Sequence, residues 1–152
     1  MLNNRFICDG FLAEVAYFRG SPDGSFYIGV WKQDSENSFI LRHRIEVPPA
    51  PIGIHHMTLP EPLPVERGDF LGIHYPRATD EGVIVHSIRE DGVIPAQEMF
   101  QTLVIDVFDE DLPADRTINF EGFQRQLESK TFALLGILSL DGLPGNQFPL
   151  ML

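Results

Sequence analysis

The chain has 152 residues, 43% of them hydrophobic, which suits one folded domain and excludes a disordered chain. Its formal net charge of −11 disfavours nucleic acid and anionic membrane surfaces as partners, whereas calcium or a basic protein surface would suit it. No stretch approaches the length of a membrane span, so membrane insertion is not expected. The alternative interpretation, which is the more common case, is that the acidic charge only keeps the domain soluble.

Cys8 is the only cysteine, so an internal disulfide is excluded. Its place between Ile7 and the turn at Asp9 favours a buried apolar residue over a disulfide to another chain. The first residues contain no apolar stretch of the signal-peptide kind, and no Asn-x-Ser/Thr acceptor occurs. A cytoplasmic protein and a mature or excised module therefore both stay open.

Short runs of alternating apolar and polar residues predict half-buried strands. The first three runs, at 11–18, 25–32 and 38–47, predict a meander of hairpins, with turns at 21–24 and 34–37. Each turn carries the polar or glycine residues that tight reversals require.

Prolines interrupt this pattern after the third run. Three of them within 48–51 predict a stiff crossing segment, and three more within 60–64 are expected to end the extended run at 52–59. A turn at Arg67 and Gly68 then introduces the next run. The remaining runs lie at 69–75, 82–88, 101–108 and 131–140.

About eight short strands, with no amphipathic helix between them, predict an all-β fold. We expect a two-sheet antiparallel β-sandwich of the jelly-roll kind. The whole chain, 1–152, is predicted to be one domain with its core at about 5–140. Residues 141–152 form a tail that is either partly disordered or docked across a groove. Residues 120–127 fit a short helix or part of a longer connection.

No catalytic residue is predicted, because the chain has no phosphate-binding loop, nucleophile elbow or kinase signature. His55 and His56 are adjacent and should point to opposite faces of a strand. His43 and Glu46, three residues apart, should do the same. No metal site is therefore predicted, although one assembled from different strands stays open.

No cofactor is predicted either. Calcium is considered because an acidic stretch supplies hard oxygen ligands. These residues are Asp106, Asp109, Glu110 and Asp111. They lack EF-hand spacing, and a solvated loop is the favoured interpretation.

The second run yields a candidate binding face. If Phe26 and its even-numbered neighbours face the core, Tyr27 and Trp31 share the outer face, and Gly29 leaves a gap between their rings. Trp31 covering a sheet edge is the alternative interpretation.

The third run adds two cations to this face. With Phe39, Leu41 and Ile45 towards the core, Arg42 and Arg44 point outward on the side of the aromatic rings. Arginines that only neutralise nearby acids are the alternative.

Aromatic rings beside hydrogen-bonding cations suit a sugar, which stacks its C–H face on a ring and offers hydroxyls to polar groups. The predicted ligand-binding residues are Tyr27, Trp31, Arg42 and Arg44. His74 and Tyr75, near the end of their run, are further candidates.

Three motifs follow one another along the chain: aromatic-x-Cys-x-Gly at 6–10, aromatic-x-Gly-Val-Trp at 27–31 and Gly-Asp-x-x-Gly at 68–72. Over residues 5–140 their order resembles an extracellular galactose-binding-like jelly-roll module of invertebrate secreted and surface proteins. The resemblance implies a secreted setting and adhesion or glycan recognition. It identifies no ligand-binding residues.

The leading hypothesis is a non-enzymatic recognition module, lectin-like or adhesive, whose partner is a glycan or a protein. A structural or homo-oligomerising domain of a larger assembly is the second, motivated by the hydrophobic residues 148–152. A metal-dependent or hydrolytic jelly-roll enzyme is the third.

Overall fold

The computed structural model describes residues 5–36, 38–80, 83–84, 86–88, 102–105, 116–119, 125–128, 130–132, 134–141 and 147–151. Apart from a 3₁₀ helix at Ala78–Asp80, the regular structure of these residues is entirely β. In chain order the strands are β1 (Gly10–Arg19), β2 (Phe26–Gln33), β3 (Ser38–Val47), β4 (Gly53–Val65), β5 (Phe70–His74), β6 (His86–Ile88), β7 (Thr102–Ile105), β8 (Arg116–Asn119), β9 (Arg125–Glu128), β10 (Lys130–Phe132), β11 (Leu134–Ser139) and β12 (Gln147–Met151).

Two four-stranded sheets carry the fold. The β1 sheet has the order β12-β11-β1-β4, and the β2 sheet has the order β5-β2-β3-β8. Two smaller pairs, β6 with β10 and β7 with β9, accompany them. All these pairings are antiparallel. The predicted antiparallel β-sandwich is confirmed.

The core lies between the two sheets. The second run faces it as predicted, because Phe26, Ile28 and Val30 are completely buried. The β1 sheet contributes Leu12 and Val15 to the same cluster. Each fully buried side chain of this size contributes roughly 1.5–3 kcal/mol through burial of apolar surface.

The predicted meander is wrong at its first step. Of the first three strands, only β2 and β3 form a hairpin, whereas β1 pairs with β4 and β11 in the other sheet. The crossing from β1 to β2 is organised by Arg19, whose side chain is fully buried. Its guanidinium donates hydrogen bonds to four backbone carbonyls, those of Ser21, Asp23, Gly24 and Pro48. Loop backbone that would otherwise lack donors is thereby fixed in the crossing conformation.

The later prolines do not end the fourth strand, contrary to expectation. β4 runs through all three of them and pairs only with β1 among the described strands. An edge strand tolerates proline because one side of its backbone needs no ladder hydrogen bonds. The register also shifts here, and residues 59–62 bulge out against Ala13.

The C-terminal residues extend the β1 sheet. β12, within the predicted tail, pairs with β11 and forms an edge of the sheet in the described structure. The short helix considered for 120–127 is wrong for residues 125–127, which belong to β9. The acidic stretch from Asp106 to Asp111 lies outside the described residues. Within the described part of the chain, no helix has the length and apolarity to span a membrane.

Candidate functional site

Tyr27 lies at the centre of a row of side chains on the outer face of the β2 sheet. It is directly opposite Glu46 on β3 and directly opposite His74 on β5. Residues opposite each other in antiparallel strands project to the same face. Three neighbouring strands therefore bring a carboxylate, a phenol and an imidazole into one line.

Arg44 joins this row from β3. Its guanidinium carbon lies 4.3 Å from the centre of the Tyr27 ring. On the β5 side, the imidazole of His74 stacks beside the same ring, with centroids 6.0 Å apart and planes 25° apart. The structure thus brings Tyr27 and Arg44 together, as the sequence predicted. The stacking also holds the planar guanidinium in a defined orientation.

The predicted gap beside Gly29 is filled by the indole of Trp31. Gly29 is directly opposite Gly72, so neither position has a side chain above the sheet. A Cβ atom would lie 2.5 Å from Trp31 Nε1 at Gly29 and 2.9 Å from it at Gly72. The indole can therefore pack flat against the sheet over the glycine pair, towards Tyr27, and does not project away from the sheet.

A β-bulge in the β2–β3 hairpin changes which residues share a face. Val30 is opposite His43 and Trp31 is opposite Leu41, which leaves Arg42 without a partner on β2. A one-residue insertion moves every later side chain to the other face. The alternation from which the sequence placed Arg42 beside Arg44 is broken at Arg42 itself.

Because of the bulge, the residues of β3 that face the core differ from those predicted. Ile45 lies in the inter-sheet core as expected, but Leu41 and Phe39 lie on the outer face with Trp31. They are nevertheless buried. Phe39 packs edge-on against Phe70 of β5, with centroids 5.8 Å apart, in an apolar cluster separate from the main core.

Arg42 is held by the turn between β4 and β5. Its Nη2 lies 2.7 Å from Glu66 Oε2, and its Nε lies 3.2 Å from Asp69 Oδ2. Lys32 approaches the same Glu66 carboxylate at 3.8 Å. The guanidinium that meets the Tyr27 ring belongs to Arg44, and that of Arg42 serves this ion-pair cluster instead.

Asp69 is a buried carboxylate, with only 1% of its surface exposed. Its Oδ2 accepts a hydrogen bond from the Glu66 backbone N–H at 2.9 Å. Burial raises the pKa of Asp69, and this effect outweighs the opposing effects of that N–H and of the Arg42 charge. The carboxylate is therefore part of the turn and is not presented to an external ligand.

The three sequence motifs meet through structural contacts. The Asp9 carboxylate accepts a hydrogen bond from the Arg67 backbone N–H at 2.8 Å, and the Gly68 N–H donates to the Phe6 carbonyl at 2.9 Å. Gly68 has a φ of 92°, which favours glycine. The first and third motifs thus hold one turn together. The second glycine of the third motif, Gly72, makes room for the tryptophan of the second motif.

The predicted placement of His55 and His56 on opposite faces is confirmed. His55 faces inward, stacks on Tyr17 with centroids 5.5 Å apart, and donates a hydrogen bond to the Pro51 carbonyl at 2.6 Å. His56 faces outward, where its Nδ1 lies 2.9 Å from Glu14 Oε1. Among the described residues, no three His, Cys, Asp or Glu side chains are grouped as a metal site would require.

His43 and Glu46 also lie on opposite faces, as predicted. His43 lies towards the other sheet, and its Nε2 donates to the Pro64 carbonyl at 2.9 Å. Glu46 is opposite Tyr27 on the outer face. Cys8, by contrast, is only half-buried, although its sequence position favoured burial.

The outer face of the β2 sheet thus carries one group of polar and aromatic side chains, here called the Tyr27 patch. Its members are Tyr27, Trp31, Arg44, Glu46 and His74. Arg44 and Glu46 are exposed, and the three rings are half-buried. Comparisons of the chain with family models, curated proteins and solved structures find no match.

Sequence reasoning missed Glu46 as a member of the site. Strand alternation over 38–47 already places it on the same face as Arg44, two residues away. Its position opposite Tyr27 depends on the pairing of the hairpin, which follows from the structure.

Proposed function

We propose that this domain is a non-enzymatic recognition module that binds carbohydrate through the Tyr27 patch. The observation that carries the proposal is the stack of the Arg44 guanidinium on the Tyr27 ring, with the Trp31 indole lying across Gly29 and Gly72 beside it. Aromatic surface for C–H stacking and oriented donors for hydroxyl groups are what sugar recognition requires. The residue set differs from the sequence prediction by the loss of Arg42 and the gain of Glu46, and it includes His74, one of the two further candidates.

The family and setting belong to the same proposal. The motifs at 6–10, 27–31 and 68–72 support a galactose-binding-like jelly roll, because they contact one another. The first and third form hydrogen bonds at one turn, and glycines of the second and third lie under the Trp31 indole. A secreted or surface protein that uses the module for adhesion is the setting that the resemblance implies.

A glycan array tests this function. The chain is applied once with calcium and once with EDTA, and we expect binding to a related set of glycans. Loss of binding only in EDTA would add calcium as a ligand. Tyr27→Ala and Arg44→Ala should each weaken binding by about tenfold or more, since either change removes the ring–cation stack and its contacts to the ligand.

Phe18→Ala and Arg67→Ala are the matched controls. Phe18 lies on the outer face of the β1 sheet, and Arg67 is an exposed cation in the turn between β4 and β5. Both should bind glycans like the unaltered chain. A folded chain that binds no glycan in either buffer would overturn the proposal, and equal losses in control and patch variants would move the site elsewhere.

One observation favours a second candidate, an oligomerising domain. On the outer face of the β1 sheet, Phe18 is directly opposite Ile54, and their exposed fractions are 37% and 72%. Adjacent exposed apolar side chains are typical of protein–protein contacts. Sedimentation of the chain without ligand tests this role: a stable oligomer that Ile54→Glu dissociates would support it, and a monomer would exclude it.

A further inference from the structure

Glu46 gives the Tyr27 patch a carboxylate beside its cation. It is exposed, directly opposite Tyr27, and two residues from Arg44 on the same strand. Alternate residues of a strand share a face and are spaced by roughly 7 Å, and opposite residues lie about 5 Å apart. Arg44 and Glu46 therefore place opposite charges beside the Tyr27 ring on one surface.

These two groups have complementary hydrogen-bonding abilities. A guanidinium only donates and an ionised carboxylate only accepts, whereas a hydroxyl group does both. Neighbouring hydroxyls of one sugar can therefore accept from Arg44 and donate to Glu46 at the same time. The phenol of Tyr27, beside them, can take either role.

The same arrangement disfavours an acidic ligand. A ligand carboxylate or sulfate paired with Arg44 would lie beside Glu46, on a chain whose net charge is −11. A like charge about 7 Å away weakens binding by roughly threefold even when water screens it fully, and by more in a partly dry site. Glu46 thus offsets part of the attraction that Arg44 exerts on an anion.

We infer that the Tyr27 patch favours neutral, hydroxyl-rich sugars and that Glu46 is the residue that disfavours acidic ones. This inference rests on the proposed function, because it assigns the ligand class of that same site. The glycine pair supports it, since Gly29 and Gly72 let the Trp31 indole lie against the sheet and offer a flat apolar surface to an uncharged sugar ring.

The experiment compares matched oligosaccharides that differ only in their terminal unit, a neutral hexose or the corresponding hexuronic acid. We measure the ratio of the two affinities for the unaltered chain, for Glu46→Gln and for the control Glu61→Gln. Glu61 is an exposed acid on β4, in the other sheet. Each of the two variants carries one negative charge fewer than the unaltered chain, so the control corrects for net charge.

The unaltered chain should prefer the neutral member, and removing the Glu46 charge should lower the ratio of neutral to acidic affinity by roughly threefold or more. Glu46→Gln should reduce or abolish this preference, and Glu61→Gln should retain it. Binding of hexoses and hexuronic acids with equal affinity, or a ratio that Glu46→Gln leaves unchanged, would overturn the inference while the proposed function stands. Failure of both kinds of sugar to bind would overturn the proposed function as well.

Discussion

Gly29 and Gly72 face each other across β2 and β5, and the indole of Trp31 lies over both. This pair explains why two motifs far apart in the sequence each contain a glycine in a strand, where glycine is otherwise unfavourable. The indole takes the space that their side chains would fill. The shape of the Tyr27 patch therefore depends on two residues that have no side chain.

Gly29→Ala should destabilise the domain by about 1–3 kcal/mol, because the new methyl group would overlap both the indole and Leu41. Urea denaturation followed by far-ultraviolet circular dichroism measures the change, because this signal persists when Trp31, the only tryptophan, is replaced. The same substitution in a Trp31→Ala background should cost less, since the main overlap is gone. Equal costs in the two backgrounds would contradict this explanation of the glycine pair.

Arg19→Met should lower the free energy of unfolding by roughly 3 kcal/mol or more, because four carbonyls in the crossing loops lose their donor. Methionine preserves most of the side-chain length and isolates the hydrogen bonds. The control is Arg67→Met, at an exposed arginine, which should change stability by less than about 0.5 kcal/mol. Similar losses in the two variants would show that Arg19 does not organise the crossing.

Arg42 and Arg44 are two residues apart on β3, and replacing each should have a different effect: the first should lower stability and the second should weaken glycan binding. Arg42→Met leaves the buried Asp69 carboxylate without its cation and should cost about 1–3 kcal/mol of stability. Arg44→Met removes an exposed cation–π contact and should cost less than about 1 kcal/mol, while glycan binding falls. Denaturation and glycan binding are measured on both variants. The reverse assignment, with binding lost only in Arg42→Met, would contradict the site described here.

Asp69 should make stability depend on pH in the acidic range. Because its folded-state pKa is raised by burial, the folded protein holds this proton more tightly than the unfolded chain. The resulting stabilisation is fully present below the ordinary pKa of 3.8 and is lost as pH rises through the raised value.

Asp69→Asn has no such proton, so the unaltered chain should lose stability relative to this variant as pH rises through that window. Denaturation at a series of pH values measures the difference. The amide still accepts the Glu66 N–H. It cannot form the ion pair with Arg42, but the effect of that pair is already included in the raised pKa of Asp69, so the sign of the slope is unchanged. A difference that grows in favour of the unaltered chain as pH rises would contradict the raised pKa.

The sequence predicted the sandwich and the faces of β2, because the period of two is strong over 25–32 and its inner positions are apolar. It failed at Arg42, where a single bulged residue exchanges the faces of β3 and leaves almost no mark in composition. The prediction that prolines would end β4 failed for a different reason. Whether a strand tolerates proline depends on its place in the sheet, and β4 is an edge strand in the described structure.

The candidate site was predicted in part for the same reasons. Tyr27 and Arg44 lie on stretches where alternation holds, and the structure brings them together. Arg42 was placed with them only because the bulge was not foreseen. The role of Arg19 in the crossing was missed, because a buried arginine satisfied by backbone carbonyls has no periodic pattern in the sequence.

The most direct test of the proposed site is a titration with a glycan selected on the array, followed by the fluorescence of Trp31. We predict a saturable change in emission whose midpoint moves to about tenfold higher glycan concentration or more in Arg44→Ala and stays unchanged in Arg67→Ala, since the sole tryptophan lies beside the Arg44–Tyr27 stack. Glycan binding that leaves Trp31 emission unchanged, with equal affinity in Arg44→Ala, would contradict a site on the outer face of the β2 sheet.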